Sequence, residues 1–289
     1  MTLWLIGGTR ESAELAARLG TDVPCVITVA SERARRLYNC LAAPVVVGRL
    51  TPEQLDAFVR AYQVTHILDM SHPHAVQISQ LAITCAERYR LPYLRYERPQ
   101  IHNPSPSCFY WQEVEELFTR YPLGRERILV TVGYRQLPRL RPYWGEHTWF
   151  VRILPDPVAL NTALTVGFAP ENIVAIWPPV SYALERALWQ QWRITQVIAK
   201  ASGVPGGEDV KQTLAQELGV VLHLLHRPAI AYPRQTADLQ VALTFAQQGQ
   251  LPPAPGPPSA TAGPTTLGDG DETAQPSAGN TTGCPFYRR

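Results

Sequence analysis

Short apolar runs alternate along most of the chain with segments in which apolar residues recur every three or four positions. In the first part of the chain the apolar runs cover residues 3–6, 25–30, 44–47 and 66–69. The segments between them, 11–19, 52–62 and 74–90, have the spacing of amphipathic helices. Strands that alternate with helices are typical of a parallel sheet, because parallel neighbours need a crossover connection. The pattern therefore predicts an α/β fold.

A second series of the same kind begins after a proline-rich break at 99–108, whose prolines exclude a continuous helix or a central strand. Its predicted strands are 127–132, 148–154, 172–176, 195–200 and 220–225, and its predicted helices are 157–166, 181–191 and 207–218. Both halves thus share an architecture, although no residue-by-residue repeat is visible. We predict one domain over residues 1–124 and a second over 125–250, both with mostly parallel sheets.

The last segment, 251–289, differs in composition, with eight prolines and six glycines among 39 residues. Such a segment has too little apolar surface to offset the entropy lost on ordering. We therefore predict a disordered tail rich in Pro, Gly, Ser and Thr.

The charge balance argues against a general nucleic-acid or membrane-surface binder. The chain has 26 basic and 24 acidic residues, a net charge of +2, and no apolar stretch as long as a membrane span. Only Lys200 and Lys211 are lysines, so arginines make up nearly all of the basic residues. Arginine binds carboxylates and phosphates with two hydrogen bonds, which would suit a polyanionic ligand. Genome composition explains the arginine excess equally well. The five cysteines have irregular spacings, which predicts reduced thiols in a cytoplasmic protein and no metal site.

Paired glycines follow the first predicted strand, in the stretch GGTRES at residues 7–12. In a doubly wound sheet, glycines at this point bring backbone amides close to a dinucleotide's phosphates, at the positive end of the next helix. The third glycine of the usual G-x-G-x-x-G fingerprint is missing. The residues alone leave two interpretations open, a phosphate-binding turn and an ordinary strand-to-helix turn.

Basic residues follow the second predicted strand, in SERARR at residues 31–36. At this point an acidic residue reads a free ribose hydroxyl, whereas a basic one accommodates a 2′-phosphate. Ser31 and Arg33 are the favoured candidates, and they indicate NADPH, with NADH still possible. Arg35 and Arg36 fit a solvated helix face equally well.

Two histidines follow the fourth predicted strand, in DMSHPHAVQ at residues 69–77. Ser71, His72 and His74 would lie at the carboxyl edge of the sheet, where ligands of open parallel sheets bind. His72 is a candidate for cofactor contact or proton donation, and capping of the next helix is the alternative. No third ligand stands at a spacing that would predict a metal site.

The second half contains two comparable stretches, TVGYRQL at 131–137 and AKASGVPGG at 199–207. The second places Lys200, Ser202 and Gly203 beyond a predicted strand, where a lysine and backbone amides suit an anionic substrate. A flexible turn with a solvated lysine is the alternative. Ligands of such sheets bind in a cleft at the strand ends, and five arginines lie in segments that lead toward it: Arg95, Arg98, Arg135, Arg139 and Arg141.

Together these stretches resemble the precorrin-6A reductase family of corrin-ring biosynthesis, which includes the cobalt-precorrin-6A reductases. The resemblance runs from Leu3 to about Pro228 and rests on GGTRES, DMSHPHAVQIS, LPYLRYERP and AKASGVPGG. Ser71 keeps the hydroxyl of the threonine that is usual in the family, and His74 stands where the family has an aromatic residue.

The resemblance implies two Rossmann-like domains with the active site in the cleft between them. It also implies that a reduced nicotinamide reduces one double bond of the macrocycle to give precorrin-6B, with an anionic tetrapyrrole as the substrate. The residues that it implies for the cofactor are Gly7, Gly8, Thr9, Glu11, Ser12, Ser31, Arg33 and Ser71. His72 is the implied catalytic residue, and those facing the corrinoid are Tyr134, Lys200, Ser202 and Gly203.

Other functions on the same fold stay open at this point, because fold alone does not determine function. One is an NADPH-dependent reductase of another substrate, and another is a non-catalytic nicotinamide-binding sensor or scaffold protein. The Lys200 loop favours an enzyme, since a sensor needs no anion-binding surface next to the nucleotide. We expect a monomer.

Overall fold

The computed structural model describes residues 1–101, 106–121 and 124–251. The predicted tail, apart from Leu251, lies outside these residues. The first nine elements, in chain order, are β1 (Thr2–Ile6), α1 (Arg10–Leu19), β2 (Cys25–Val29), α2 (Glu32–Arg35), β3 (Val45–Val47), α3 (Pro52–Tyr62), β4 (Val64–Asp69), α4 (Val76–Tyr89) and β5 (Tyr93–Tyr96).

The elements that follow are β6 (Cys108–Trp111), α5 (Val114–Arg120), β7 (Arg127–Val130), β8 (Thr148–Ile153), α6 (Pro157–Val166), β9 (Ile173–Ala175), α7 (Tyr182–Gln191), β10 (Gln196–Lys200), α8 (Glu208–Leu218), β11 (Val221–Leu225), β12 (Gln235–Thr236) and α9 (Leu239–Gln248). Short 3₁₀ helices cover Arg36–Tyr38, Tyr134–Tyr143, Pro170–Asn172 and Val204–Gly206.

The strands form two six-stranded sheets, and each described pairing within them is parallel. The first sheet has the order β3-β2-β1-β4-β5-β12, and the second has the order β9-β8-β7-β10-β11-β6. Counted from β1 in the first sheet and from β7 in the second, both begin 3-2-1-4-5, which is the doubly wound order of dinucleotide-binding domains. The expected α/β fold with two parallel sheets is therefore confirmed.

The sixth strand of each sheet comes from outside its own series. β6 precedes the second series and pairs with β11, whereas β12 follows that series and pairs back with β5 of the first sheet. α9 then packs on the first sheet, against α1 and β4. β6, β12 and α9 therefore lie on the other side of residue 124 from the rest of their sheets. The division into 1–124 and 125–250 stays a prediction.

The predicted strands and helices are all present, with bounds that differ by at most two residues. Six elements lacked a prediction: α2, β5, β6, α5, β12 and α9. Each of the strands among them is short, with four residues or fewer, and too brief to show a clear alternation.

Local signals explain where the helices begin. α1 begins after Thr9, whose side chain accepts from the amide of Ser12 in a capping box. α3 and α6 both start with proline, after Thr51 and Asp156 respectively, because proline needs no hydrogen-bond acceptor at the first helical position. These caps place the carboxyl ends of the preceding strands at defined points.

The apolar residues of both sheets are buried on two faces. In β1, Leu3 and Leu5 pack into one cluster with α9, whereas Trp4 and Ile6 pack into the cluster on the other face. Phe245 of α9 is fully buried in the first cluster, and burial of a side chain of this size contributes about 1.5–3 kcal/mol. Continuous apolar strands are the rule in sheets covered by helices on both sides.

Candidate functional site

The strand order creates one topological switch point in each sheet. In the first sheet it lies between β1 and β4, and in the second between β7 and β10. Connections leave these neighbours in opposite directions, which opens a crevice at the carboxyl ends of the strands where ligands bind. The residues after these four strands are therefore the candidates for function.

Side chains at the carboxyl edge of the first sheet contact those of the second. Arg98, which follows β5, donates from Nη1 to the carbonyl of Ser202 at 3.3 Å. Arg227, which follows β11, donates to a Glu97 carboxylate oxygen at 2.5 Å and to the Arg98 carbonyl at 2.6 Å. These contacts bring the two switch points to a common cleft, as the resemblance implied.

The glycine turn after β1 comprises Gly7, Gly8 and Thr9. Gly8 has a φ of +101°, a backbone conformation that glycine adopts without strain. A Cβ on Gly7 would lie 2.2 Å from the hydroxyl oxygen of Tyr38, so only glycine fits there. The Gly8 amide donates to that same hydroxyl at 2.8 Å. Both glycines are thus explained by local geometry.

In the first turn of α1, the side chains make contacts within the protein, whereas two backbone amides have no intrahelical partner. Ser12 is fully buried, and its hydroxyl accepts from the Thr9 amide at 3.1 Å. The Glu11 carboxylate forms an ion pair with Arg98, with Oε1 and Nε 2.5 Å apart. The amides of Arg10 and Glu11 begin the helix and have no intrahelical partner. Of this set, those two amides suit an anion best.

The segment after β2 places Ser31 and Arg33 differently. Ser31 is exposed and is the N-cap of α2, since its hydroxyl accepts from the amide of Ala34 at 3.3 Å. The guanidinium of Arg33 stacks over the indole of Trp177, which follows β9 of the second sheet. Arg33 therefore lies between the two sheets at the same side of the cleft as the glycine turn.

A buried polar network lies after β4, at the other side of the switch point. Asp69 is fully buried and accepts from Ser79 at 2.6 Å, from Tyr93 at 2.9 Å and from Arg95 at 2.9 Å. Arg95 also donates to the Ser71 hydroxyl at 3.0 Å. Ser71 is thus held by charged neighbours, which orients its hydroxyl without leaving it freely rotating.

His72 is exposed at the edge of this network. Its Nδ1 accepts from the amide of His74 at 3.2 Å, so in the neutral ring the hydrogen lies on Nε2. Although the residue is partly exposed, desolvation of its ring by the surrounding protein, with the nearby charges of Arg98 and Lys200, lowers the pKa of His72 to about 3. The ring is therefore uncharged at neutral pH.

His74 is half-buried beside it. Burial, together with the charges of Lys200 and Arg227, lowers the pKa of His74 to about 3. Its Nε2 has no hydrogen-bond partner among the described residues. Two neutral imidazoles and several cations thus line this part of the cleft.

The second sheet contributes Lys200 at the end of β10. Lys200 is half-buried, and no ion-pair partner for it occurs in the described part of the chain. Burial and the neighbouring charge of Arg135 lower the pKa of Lys200. Tyr134, which follows β7, lies next to Arg135, whose Nε donates to the Tyr134 hydroxyl at 3.3 Å. This edge is positively charged and open to an anion.

Hydrogen bonds from Glu208 and Lys211 hold the loop that follows Lys200. The Gly203 amide donates to a Glu208 carboxylate oxygen at 2.7 Å, and Lys211 donates to the carbonyls of Gly206 and Gly207. Ser202 is buried, with its hydroxyl where a Cβ on Gly206 would lie. The Gly203 amide is therefore already occupied, and Ser202 has packing contacts in the loop.

The structure places the expected site residues at or after the carboxyl ends of strands in the two sheets, and their roles stay predictions. The side chains of Glu11 and Ser12 have internal partners, as do the amides of Gly8 and Gly203. The expected arginines divide. Arg98 contacts the second sheet at Ser202, whereas Arg95 is fully buried and paired with Asp69 and Glu97. Arg139 pairs with Glu113 and Glu115 on the surface.

Sequence reasoning did not assign functions to Tyr38, Asp69, Glu208 and Arg227. The signals for Asp69 and Glu208 were present, as carboxylates next to the quoted motifs. Nothing local pointed to Tyr38 or Arg227, whose partners are distant in sequence.

Two further findings limit the kinds of site. Within the described residues, no group of three or more His, Cys, Asp or Glu side chains is placed to hold a metal ion. No helix in the described ranges has the length and apolar character needed to cross a membrane.

Comparison with known proteins agrees with this geometry. The family model described as "Precorrin-6x reductase CbiJ/CobK" matches residues 2–247. A protein of Synechocystis sp. named cobalt-precorrin-6A reductase is 39% identical over 255 residues, with 86% of this chain and 96% of the relative covered. A Rhodococcus erythropolis protein named precorrin-6A reductase is 31% identical, with 86% of this chain and 97% of the relative covered.

A solved structure described as CobK precorrin-6A reductase has the same fold. It superimposes with a TM-score of 0.70 at 22% identity, and the match covers 87% of this chain and 98% of that one. The family match extends over both sheets and includes the residues at both switch points. The chain therefore belongs to the precorrin-6x reductase CbiJ/CobK family.

Proposed function

We propose that this chain is an NADPH-dependent reductase that reduces one double bond of precorrin-6A, or of its cobalt-containing form, to the corresponding precorrin-6B. The observation that carries the proposal is the cleft itself, where a glycine turn and helix start on one sheet meet Lys200 on the other, which has no ion-pair partner among the described residues. Family membership and the names of the relatives support the substrate. Such a reaction belongs to cobalamin biosynthesis, and we expect it in the cytoplasm.

The residues present fit a dinucleotide. The glycine turn leaves the start of α1 free of side chains at Gly8, and the amides of Arg10 and Glu11 suit the pyrophosphate. Ser31 and Arg33 suit a 2′-phosphate, which favours NADPH, with NADH as the alternative. We place Ser71 and His72 at the nicotinamide end, because they follow the other strand of the switch point.

The opposite edge suits the substrate. Precorrins carry several acetate and propionate carboxylates, and Lys200 and Arg135 place two positive charges at this edge. Tyr134, Ser202 and Gly203 would then shape the wall that contacts the macrocycle. A cation without a carboxylate partner can bind a substrate carboxylate without first breaking an ion pair.

Reduction needs a hydride, which the reduced nicotinamide supplies when bound, and a proton. His72 is uncharged at neutral pH, so we propose that its Nε2–H donates a hydrogen bond that orients a bound oxygen. Lys200 is the cation in this region that has a lowered pKa and no carboxylate partner among the described residues. We therefore propose that Lys200 both binds the substrate and delivers the proton from Nζ.

The test is an assay of reduced-nicotinamide oxidation with purified protein, in four combinations of NADPH or NADH with metal-free or cobalt precorrin-6A. We expect turnover only when a precorrin is present, and faster turnover with NADPH. Cofactor binding without turnover on either substrate would favour the sensor alternative. Turnover of an unrelated substrate and not of a precorrin would favour a different reductase.

A further inference from the structure

We infer that Tyr38 is a positioning residue for the cofactor, in that its hydroxyl holds the glycine turn in the shape that directs the phosphates to the start of α1. The inference rests on the proposed function, because it assumes that a dinucleotide binds there. Tyr38 ends the 3₁₀ helix Arg36–Tyr38 and is 1% exposed. It thus belongs to the segment that also carries Ser31 and Arg33.

The hydroxyl of Tyr38 lies at the centre of the turn. It accepts from the Gly8 amide at 2.8 Å and lies 2.6 Å from the hydroxyl oxygen of Ser12. A Cβ on Gly7 would lie 2.2 Å from it, so the turn closes around this one oxygen. The residue is 30 positions from Gly8 in sequence, and only the fold brings them together.

This contact determines which amides an anion can use. The Gly8 amide points to Tyr38, so it is not available to a phosphate. The next amides, those of Arg10 and Glu11, are at the positive end of α1. Tyr38 therefore orients the turn while leaving the helix start as the phosphate-binding group.

The phenol is suited to this role at any pH at which the enzyme works. Burial raises the pKa of Tyr38, which outweighs the hydrogen bonds from Ser12 and Gly8 that lower it. The hydroxyl stays neutral and can accept one hydrogen bond and donate another. Geometry carries the inference, and the neutral phenol agrees with it.

The test is Tyr38→Phe, which removes the hydroxyl and keeps the ring. Loss of the hydrogen bonds with Gly8 and Ser12 should raise the dissociation constants of NADPH and NADH by the same factor, roughly threefold to tenfold. Titration of the reduced-nicotinamide fluorescence measures both constants. The kcat at saturating cofactor and the KM for the precorrin should stay unchanged, a split that a general loss of structure would not produce.

Tyr89→Phe is the matched control. The Tyr89 hydroxyl donates to Asp56 at 2.6 Å, on α3 and away from the cleft, so its removal should leave both cofactor constants unchanged. If Tyr38→Phe does not fold, Gly7→Ala serves as the second variant, because its Cβ displaces the same hydroxyl. We expect it to weaken both cofactors as well.

The outcomes separate this inference from the proposed function. Unchanged or tighter binding of both cofactors by Tyr38→Phe would overturn the inference alone. So would a loss confined to NADPH, because Tyr38 would then act through Ser31 and Arg33 and not through the turn. A wild-type protein that binds neither cofactor would overturn the proposed function and this inference together.

Discussion

The two switch points have the same strand order but different chemistry. In both, a glycine amide next to the cleft is occupied from within, Gly8 by the Tyr38 hydroxyl and Gly203 by the Glu208 carboxylate. The first edge offers the free amides of a helix start, whereas the second offers Lys200. Topology therefore determines where ligands can bind, and the residues after the strands determine which ligands.

The two sheets also differ in how they hold a buried histidine. His66 of β4 makes its Nε2 contact with the carbonyl of Ala246 in α9, at 2.9 Å. His223 of β11 lies between two side chains, since Trp111 donates to its Nδ1 at 3.1 Å and its Nε2 lies 2.6 Å from the Gln196 amide oxygen. Burial lowers the pKa of both. Each sheet thus holds a buried imidazole whose charged form is disfavoured.

The largest expected effect is on Lys200, and it tests whether the second edge binds the substrate. Lys200→Met removes both a charged contact of about 1.5–3 kcal/mol and the proposed proton donor, so kcat/KM for the precorrin should fall roughly a hundredfold or more. The dissociation constant of NADPH should stay the same. Steady-state kinetics and cofactor titration measure the two effects separately.

Lys200→Arg separates binding from proton delivery. It keeps the positive charge, so it should restore much of the KM, but arginine does not release a proton at working pH and kcat should stay low. A loss of cofactor binding in either variant would mean that Lys200 belongs to the first edge, and the comparison between the edges would then be wrong.

The next effect is on the pH dependence of the unfolding free energy, and it tests whether His223 of the second sheet or His66 of the first accounts for it. Burial lowers the pKa of His223 from 6.5 to about 4. The unfolded chain therefore binds a proton more readily, and this contribution to stability is present above pH 6.5 and is lost as pH falls from there toward 4. Linkage gives a decrease in unfolding free energy of about 2 kcal/mol between pH of about 7.5 and about 5.

Denaturant titrations at a series of pH values measure this slope. His223→Gln keeps a polar side chain but does not titrate, so its unfolding free energy should start lower and depend less on pH. The same slope in the variant and the wild type would show that other groups, such as His66 in the first sheet, account for the acid sensitivity.

The smallest expected effect is on cofactor choice at the first edge. Arg33→Ala should weaken NADPH roughly tenfold more than NADH, because a charge-assisted contact with the 2′-phosphate is lost. Arg36→Ala, three residues later in the same segment, is the matched control and should leave the ratio unchanged. Equal losses for both cofactors would refute the 2′-phosphate assignment and leave stacking on Trp177 as the role of Arg33.

Much of the fold could be predicted from the chain because its signals are local. An apolar run such as Leu3–Ile6 can be buried on both faces only as a strand between helices, and Thr51 with Pro52 marks a helix start without reference to other elements. The short strands β6 and β12 lacked a prediction because their pairing partners, β11 and β5, supply the hydrogen bonds that define them. Two or four residues carry too little pattern to identify a strand.

The candidate site shows the same division. The glycine turn, Ser71, His72 and Lys200 could be identified because each follows a predicted strand, and parallel strands bring their carboxyl ends to one edge. The lowered pKa of His72 was not predictable, since both the protein that desolvates its ring and the cations Arg98 and Lys200 come from other segments. The partner of the Gly8 amide could not be predicted either, because only the packing of β1 against β2 brings Tyr38 close to it.

The sequence by itself determined two series of parallel strands, the helix starts between them and the chemical character of the residues at the strand ends. Those properties depend on near neighbours in the chain, through periodicity, capping and side-chain type. Only the tertiary structure decided that each sheet takes its sixth strand from outside its own series, and that Tyr38 and Glu208 occupy the glycine amides. These contacts join residues that only the completed fold brings within hydrogen-bond distance.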